Sequence, residues 1–273
     1  MVLSVLICTL NDGVKNIIDV LLPEREDVNY VVSFQYTDDA FLSLIPEDLK
    51  ARKDVSISCL QGKGLSRNRN NAFSCATGDL FLIADDDARY KNEYFDIILK
   101  TFQDNQDVDI ALFKAKDYEG KWLKEYPGYA YKYGESHNAN YPCSCEMVIR
   151  KDVYVVKGVC FDELFGLGSD YLSSGEEDVF LKDALRTGVN IVYFPELIVE
   201  TDSNTTGLRI LHDEKVQRSK GAALCYCYGF YPALFRCIKE SLYHFFHSFA
   251  NPFVLLKNMC DGIKYCRKTH ERI

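Results

Sequence analysis

Three consecutive aspartates, Asp85-Asp86-Asp87, follow directly on the apolar run Leu80-Phe81-Leu82-Ile83-Ala84. Carboxylates crowded together repel one another unless a cation neutralises them. Hard oxygen donors suit Mg²⁺ or Mn²⁺, and such ions commonly grip substrate phosphates. The alternative role for the triplet is a solvated turn or a helix N-cap, where Asp is also favoured. A second acidic group, Glu176-Glu177-Asp178, opens a helical pattern. Acids in a first turn stabilise the helix dipole, and one held at a mobile, exposed edge can act as a general base. The glycine and serines of Ser173-Ser174-Gly175 place these acids at such an edge. A third acidic pair, Asp38-Asp39, follows an apolar stretch ending at Tyr36.

The elements that must position these groups alternate. Val2 to Thr9, Tyr30 to Tyr36, Val55 to Cys59, Leu80 to Ala84 and Val108 to Phe113 read as strands. Between them, Val14, Ile17, Ile18, Leu21 and Leu22 recur at helical spacing, as do Leu65, Ala72, Phe73 and Ala76, and again Phe95, Ile98, Leu99 and Phe102. Strand and helix in alternation over the first ~115 residues predict an α/β, mostly parallel sheet with covered faces. The acidic triplet then lies at a strand's C-terminal end, the edge where open α/β sheets bind ligands.

From Asp117 to Tyr141 the alternation breaks into a polar loop carrying Tyr118, Trp122, Tyr126, Tyr129, Tyr131, Tyr133 and Tyr141. A long loop of this kind is either functional or packed on the sheet. Cys143 to Arg150 resumes a strand, Phe161 to Ser174 reads as a flexible connection, Glu176 to Arg186 as a helix and Asn190 to Phe194 as a strand. Beyond Thr206 the chain is helical and aromatic and ends in a basic run from Lys264 to Arg272.

The net charge of -8 argues against a nucleic-acid surface, which is normally basic. The 11 cysteines show no zinc spacing and suit a reducing compartment. The N-terminus lacks a basic start and runs straight into a strand, so no secretory signal is expected. No apolar run reaches the roughly 18 residues needed to span a bilayer.

The run Gly64-Leu65-Ser66-Arg67-Asn68-Arg69-Asn70-Asn71-Ala72, the Thr77-Gly78 stop and the strand ending in Asp85-Asp86-Asp87 together resemble glycosyltransferase family 2. Val5-Leu6-Ile7-Cys8-Thr9-Leu10-Asn11 resembles that family's first strand and nucleotide-contacting turn, and Gly175-Glu176-Glu177-Asp178 its Glu-Asp motif. The likeness covers residues 1 to about 200, with four motifs in order. It implies a GT-A fold and an inverting transfer of a sugar from a nucleotide-diphosphate donor, a UDP-sugar by family prevalence. The acceptor would be a saccharide or a lipid-linked one.

Carried over residue by residue, the resemblance places Thr9, Asn11, Asp39, Arg67, Arg69, Asn70, Asp85 and Asp86 against the substrate. It puts Mn²⁺ or Mg²⁺ on Asp85 and Asp87, and makes Asp178 or Glu177 the base. The chain departs from the family at Phe34-Gln35-Tyr36-Thr37-Asp38, and again where a His is usual after the last strand: Val199-Glu200-Thr201-Asp202-Ser203 has none, and Glu200 or Asp202 would have to substitute. His212 reads as an ordinary residue.

Two other readings compete. One is a catalytically degenerate nucleotide-sugar-binding subunit. The other is a sugar nucleotidyltransferase, disfavoured by the single glycine of Cys8-Thr9-Leu10-Asn11-Asp12-Gly13.

The expected organisation is a GT-A nucleotide-sugar-binding and catalytic domain over 1–207 and a helical C-terminal extension over 208–273. A cytoplasmic location is expected. The aromatic, basic C-terminal helices form either a lid or dimer contact, or a peripheral contact with the inner face of a membrane.

Overall fold

The computed structural model describes residues 1–135, 142–203 and 206–270. In chain order the elements are β1 (Leu3–Leu10), β2 (Val28–Tyr36), α1 (Glu47–Ala51), β3 (Val55–Gln61), α2 (Leu65–Cys75), β4 (Leu80–Asp85), α3 (Asn92–Asp104), β5 (Ile110–Lys116), β6 (Tyr131–Lys132), β7 (Met147–Arg150), α4 (Lys151–Val155), α5 (Glu176–Arg186), β8 (Ile191–Glu200), α6 (Glu214–Tyr228), α7 (Phe230–Ser248) and α8 (Pro252–Thr269).

The chain divides into two compact units. The first comprises Met1–Lys63, Arg67–Cys160 and Asp183–Ser203, and holds the whole sheet. The sheet has eight strands in the order β3-β2-β1-β4-β7-β5-β8-β6. The pairs β1–β2, β1–β4, β2–β3 and β5–β8 are parallel, as the alternating pattern predicts. The short β7 is inserted antiparallel between β4 and β5, and β6 runs antiparallel on β8. β1 and β4 are apolar and buried almost throughout, as strands covered on both faces must be. The core beneath them takes Phe95, Ile98 and Phe102 from α3 and Val14 and Ile17 from the segment after β1.

Local differences from the sequence reading have local causes. The helical spacing after β1 folds as 3-10 turns over Asn11–Asp19, a short connector rather than an α-helix. The predicted strand from Cys143 gives up its start to a 3-10 turn, Ser144–Glu146, where the Glu146 side chain reaches back to the Cys143 amide and stops strand pairing. β8 continues past Phe194 to Glu200. Tyr131–Lys132 pairs with β8 inside the aromatic loop, which therefore is not all irregular. Tyr141 of that loop lies outside the described residues.

The second unit comprises Gly64–Ser66, Phe161–Lys182 and Asn204–Ile273. Its core joins Phe165, Leu172 and Val179 to Ala222, Cys225, Leu255, Met259 and Ile263 of the helices. The connection Phe161–Ser174, expected to be flexible, is held down: Phe161, Phe165 and Leu172 are buried, and the Ser173 and Ser174 amides donate to Ser219 Oγ at 2.7 and 3.2 Å. α6 and α8 approach through glycines. A Cβ on Gly221 would stand 1.9 Å from the Met259 carbonyl oxygen, and one on Gly262 1.9 Å from that of Arg218.

Candidate functional site

Parallel pairing of β1 with β4 puts Cys8 opposite Asp85 and so brings Thr9 and the aspartates to one edge of the sheet. Thr9 Oγ1 donates to Asp86 Oδ2 at 2.5 Å. Gly13 leaves room for this bond, since a Cβ there would lie 2.2 Å from Asp86 Oδ2 and 2.6 Å from Thr9 Oγ1. Burial raises the Asp86 carboxyl above the usual range, against the opposing pull of the Thr9 bond. The middle acid is thus tied to the scaffold.

Its two neighbours hold different ground. Asp85 Oδ1 stands 3.8 Å from the guanidinium of the buried Arg69, which also donates to Ser144 Oγ at 2.6 Å. Asp87 is exposed, and its Oδ1 lies 3.4 Å from Thr201 Oγ1. Thr201 reaches it because the chain after the triplet pairs with the end of β8: the Arg89 amide donates to the Glu200 carbonyl at 2.7 Å and the return bond is 3.0 Å. Tyr118 donates its hydroxyl to the Asp87 carbonyl oxygen and carries the Arg89 guanidinium 4.1 Å above its ring.

Four other residues singled out in the sequence lie after β1, after β2 and on α2. Asn11, at a positive φ of 53°, accepts from the Thr37 amide at 2.9 Å and so joins the ends of β1 and β2. Asp39 is exposed in a 3-10 turn that Asp38 caps through the Ala40 amide. On α2, Arg67 is exposed and reaches the Gln61 carbonyl at 3.2 Å, while Asn70 is half-buried. Asn68 went unassigned in the sequence yet is the inward-facing member of this group. It donates to the Thr9 carbonyl at 3.0 Å and bonds Ser33 Oγ at 2.5 Å, locking α2 onto β1 and β2.

Glu200, considered in place of the usual His, spends its carboxylate on Lys91 and Tyr94, both at 2.7 Å. This holds it below the usual carboxylate range. Thr201 and Tyr118 are the further contacts of Asp87 that sequence reading missed.

Among the described residues, no three His, Cys, Asp or Glu side chains converge to hold a metal by themselves. Mg²⁺ is ordinarily held by one or two carboxylates and completes its shell with water and substrate phosphate. The oxygen-only donor set of Asp85 and Asp87 would fit an ion of that kind, and Asp87 is the exposed carboxylate of the two.

In the second unit α5 begins with the three acids. Glu176 is buried, contrary to the mobile, exposed edge that the serines suggested. Asp178 is half-buried. Burial lifts its carboxyl from 3.8 to about 6, with Lys220 opposing and Glu177 adding to the rise. A carboxylate that ionises near neutrality is suited to proton transfer.

The fold and these motifs define an α/β transferase of the GT-A type. The family model for glycosyl transferase family 2 matches residues 4–155, more than half of the chain, and the chain belongs to that family. It is a glycosyltransferase. Similar folds occur in S. aureus TarS. A structure of its residues 1–349 aligns with TM-score 0.58 at 18% identity, covering 91% of this chain and 73% of that one. The same portion in complex with UDP gives 0.57 at 19% identity, with 91% and 73% covered. In complex with UDP-GlcNAc it gives 0.55 at 18%, with 91% and 74% covered. No curated protein sequence matches the chain.

Proposed function

We propose that the chain is an inverting transferase that moves a sugar from a nucleotide-diphosphate donor, a UDP-sugar, to a saccharide or lipid-linked acceptor. The observation that carries this reading is the division of labour among three adjacent aspartates. Asp86 is bonded to Thr9, whereas Asp85 beside Arg69 and the exposed Asp87 are presented at the C-terminal edge of the sheet. The UDP and UDP-GlcNAc complexes of TarS, similar in fold, support the choice of donor.

Asp85 and Asp87 would hold Mg²⁺ or Mn²⁺, which supplies positive charge against the diphosphate leaving group. Arg69 and Asn70 on α2, with Thr9 and Asn11 after β1, would hold the nucleotide; Arg67 and Asp39 are the exposed candidates beside them. Asp178 is the stronger candidate for the base that takes the acceptor hydroxyl proton as the oxygen attacks the sugar's anomeric carbon from the face opposite the diphosphate. One displacement inverts that centre. Glu177 is the alternative base.

The test is a thermal-shift and transfer assay with UDP, Mn²⁺ and a panel of nucleotide-sugars. UDP and Mn²⁺ together should raise Tm more than the two separate effects, because the ion completes its shell with phosphate. Ligand at a hundred times its Kd stabilises by about 2.7 kcal/mol. Asp87→Ala should abolish the joint effect and diphosphate release. Joint stabilisation with no sugar transferred or hydrolysed would leave a binding subunit instead.

A further inference from the structure

α7 turns its apolar face outward. Tyr231, Phe235, Ile238, Leu242, Phe246 and Phe249 follow one another at spacings of three and four residues and so form one stripe along the helix and its C-cap. All are exposed, Tyr231 at 80%, Phe235 at 71%, Phe246 at 70% and Phe249 at 90%. The opposite face carries Ala233, Cys237 and Ser241, which are buried. α7 therefore packs through these small residues with Phe230 and Leu234, and presents its other large apolar side chains. Beyond the turn, Phe253 begins α8 at 81% exposure and extends the apolar surface. Singly exposed apolar side chains are ordinary, but a continuous stripe of this length marks an interaction surface.

Charge chooses the partner. α7 and α8 carry six Lys and Arg against two acids, a local +4 in a chain whose net charge is -8. Lys239 stands one turn after Phe235, and Lys257 one turn after Phe253, both exposed. A row of large apolar groups edged by flexible cations fits the boundary between acyl chains and anionic headgroups. A second copy of the same face would set like charges against each other. No helix among the described residues is long and apolar enough to cross a membrane, so this face would lie on the bilayer.

We propose that the α7 stripe and the α7–α8 turn dock the protein on an anionic lipid surface. The proposal does not depend on the donor or the acceptor of the transfer reaction. It is tested by co-sedimentation of the full chain with phosphatidylcholine vesicles and with equimolar phosphatidylcholine–phosphatidylglycerol vesicles. The chain should pellet with the anionic vesicles, and less so as salt rises.

Phe246→Ser with Phe249→Ser should lower partitioning about tenfold or more. Lys239→Gln with Lys257→Gln should lower it about thirtyfold, at roughly 1 kcal/mol per cation. These side chains are solvent-facing, so helical circular dichroism and the UDP–Mn²⁺ thermal shift should stay as in the parent. Equal pelleting with both vesicle types would overturn the proposal, as would none at all or no change in the Phe double variant. A dimer seen by light scattering and dispersed by that variant, without vesicle binding, would overturn it in favour of a second copy.

Discussion

Thr9 and Asp86 lie 77 residues apart in sequence and are joined by a hydrogen bond of 2.5 Å from Oγ1 to Oδ2. The family resemblance makes both contacts for the substrate. Their mutual bond gives them a different first task, which is to fix the turn from which Asp85 and Asp87 project. Thr9→Val should strip a half-buried carboxylate of its hydroxyl donor and cost about 1–3 kcal/mol. Thr9→Ser should recover most of this. Gly13→Ala should mimic Thr9→Val, because its Cβ would occupy the space of the bond. Chemical denaturation of the three variants checks the claim, and a Gly13→Ala protein as stable as the parent would refute the crowded geometry.

The raised carboxyl of Asp178 makes stability depend on pH. Its carboxyl ionises at about 6 in the folded protein and at 3.8 when unperturbed. Between those values the folded chain keeps a proton that the unfolded chain has released, so stability falls as pH rises through the window. The full effect, present above about pH 6, is at most roughly 3 kcal/mol. Asp178→Asn should therefore flatten the pH dependence of Tm between pH 4 and 7 and raise Tm at the upper end. If Asp178 is the base, as proposed, it must be ionised, and transfer should rise with pH through about 6. Asp178→Asn should lower transfer by about 10²–10⁴-fold. If Glu177→Gln gave that loss and Asp178→Asn did not, the base would be Glu177.

The parts legible in the sequence are those that depend on near neighbours. Five apolar residues bounded by Gly78-Asp79 and the acidic triplet read as a covered strand, and the alternation of such runs with helical spacing gives the mostly parallel sheet. What stayed hidden depends on distant pairing. β7 follows β6 in sequence but enters the sheet antiparallel between β4 and β5, which four residues cannot announce. Asn68 and Thr201 are neutral side chains with no local pattern, and only the packing of α2 on β1 and of β8 on Arg89 gives them partners. The aromatic, helical character of the chain beyond Thr206 is legible in the sequence, but it does not say whether the large side chains meet the core or solvent. The fully buried contacts are Ala233, Cys237 and Ser241, and small residues carry little signal.

The buried Glu146 shows a second dependence on distant partners. Its carboxylate accepts from Lys124 Nζ at 2.7 Å, from the Cys143 amide at 2.9 Å and from the Tyr126 hydroxyl. Burial raises its carboxyl, with the Lys124 charge pulling the other way. Breaking such a pair from one side leaves a charge in the interior. Lys124→Met should cost about 3–5 kcal/mol, and Lys124→Met with Glu146→Gln should cost less than Lys124→Met alone. Denaturant titration of both measures the coupling, and a double variant weaker than the single would rule the pair out as a charge balance. The adjacent Ser144 holds Arg69, so if Arg69 contacts the donor as proposed, donor binding should weaken along with stability.

The close approach of α6 to α8 predicts a loss where helix propensity alone predicts a gain. Gly221 lies inside α6 and Gly262 inside α8. Replacing a helical glycine by alanine ordinarily stabilises by about 1 kcal/mol. Here the new Cβ would sit 1.9 Å from a carbonyl oxygen of the facing helix, an atom of the main chain that cannot swing aside. The helices must separate instead, and with them the packing of Leu255, Met259 and Ile263 on Ala222 and Cys225. Overpacking of this kind costs about 1–3 kcal/mol. Gly221→Ala and Gly262→Ala should each lower Tm by several degrees, at about 2–4 °C per kcal/mol in a chain of this size. Gly128→Ala, where nothing lies within 4 Å, should leave Tm unchanged. A Gly221→Ala protein that melts above the parent would show that propensity outweighs the contact and that α6 and α8 stand farther apart.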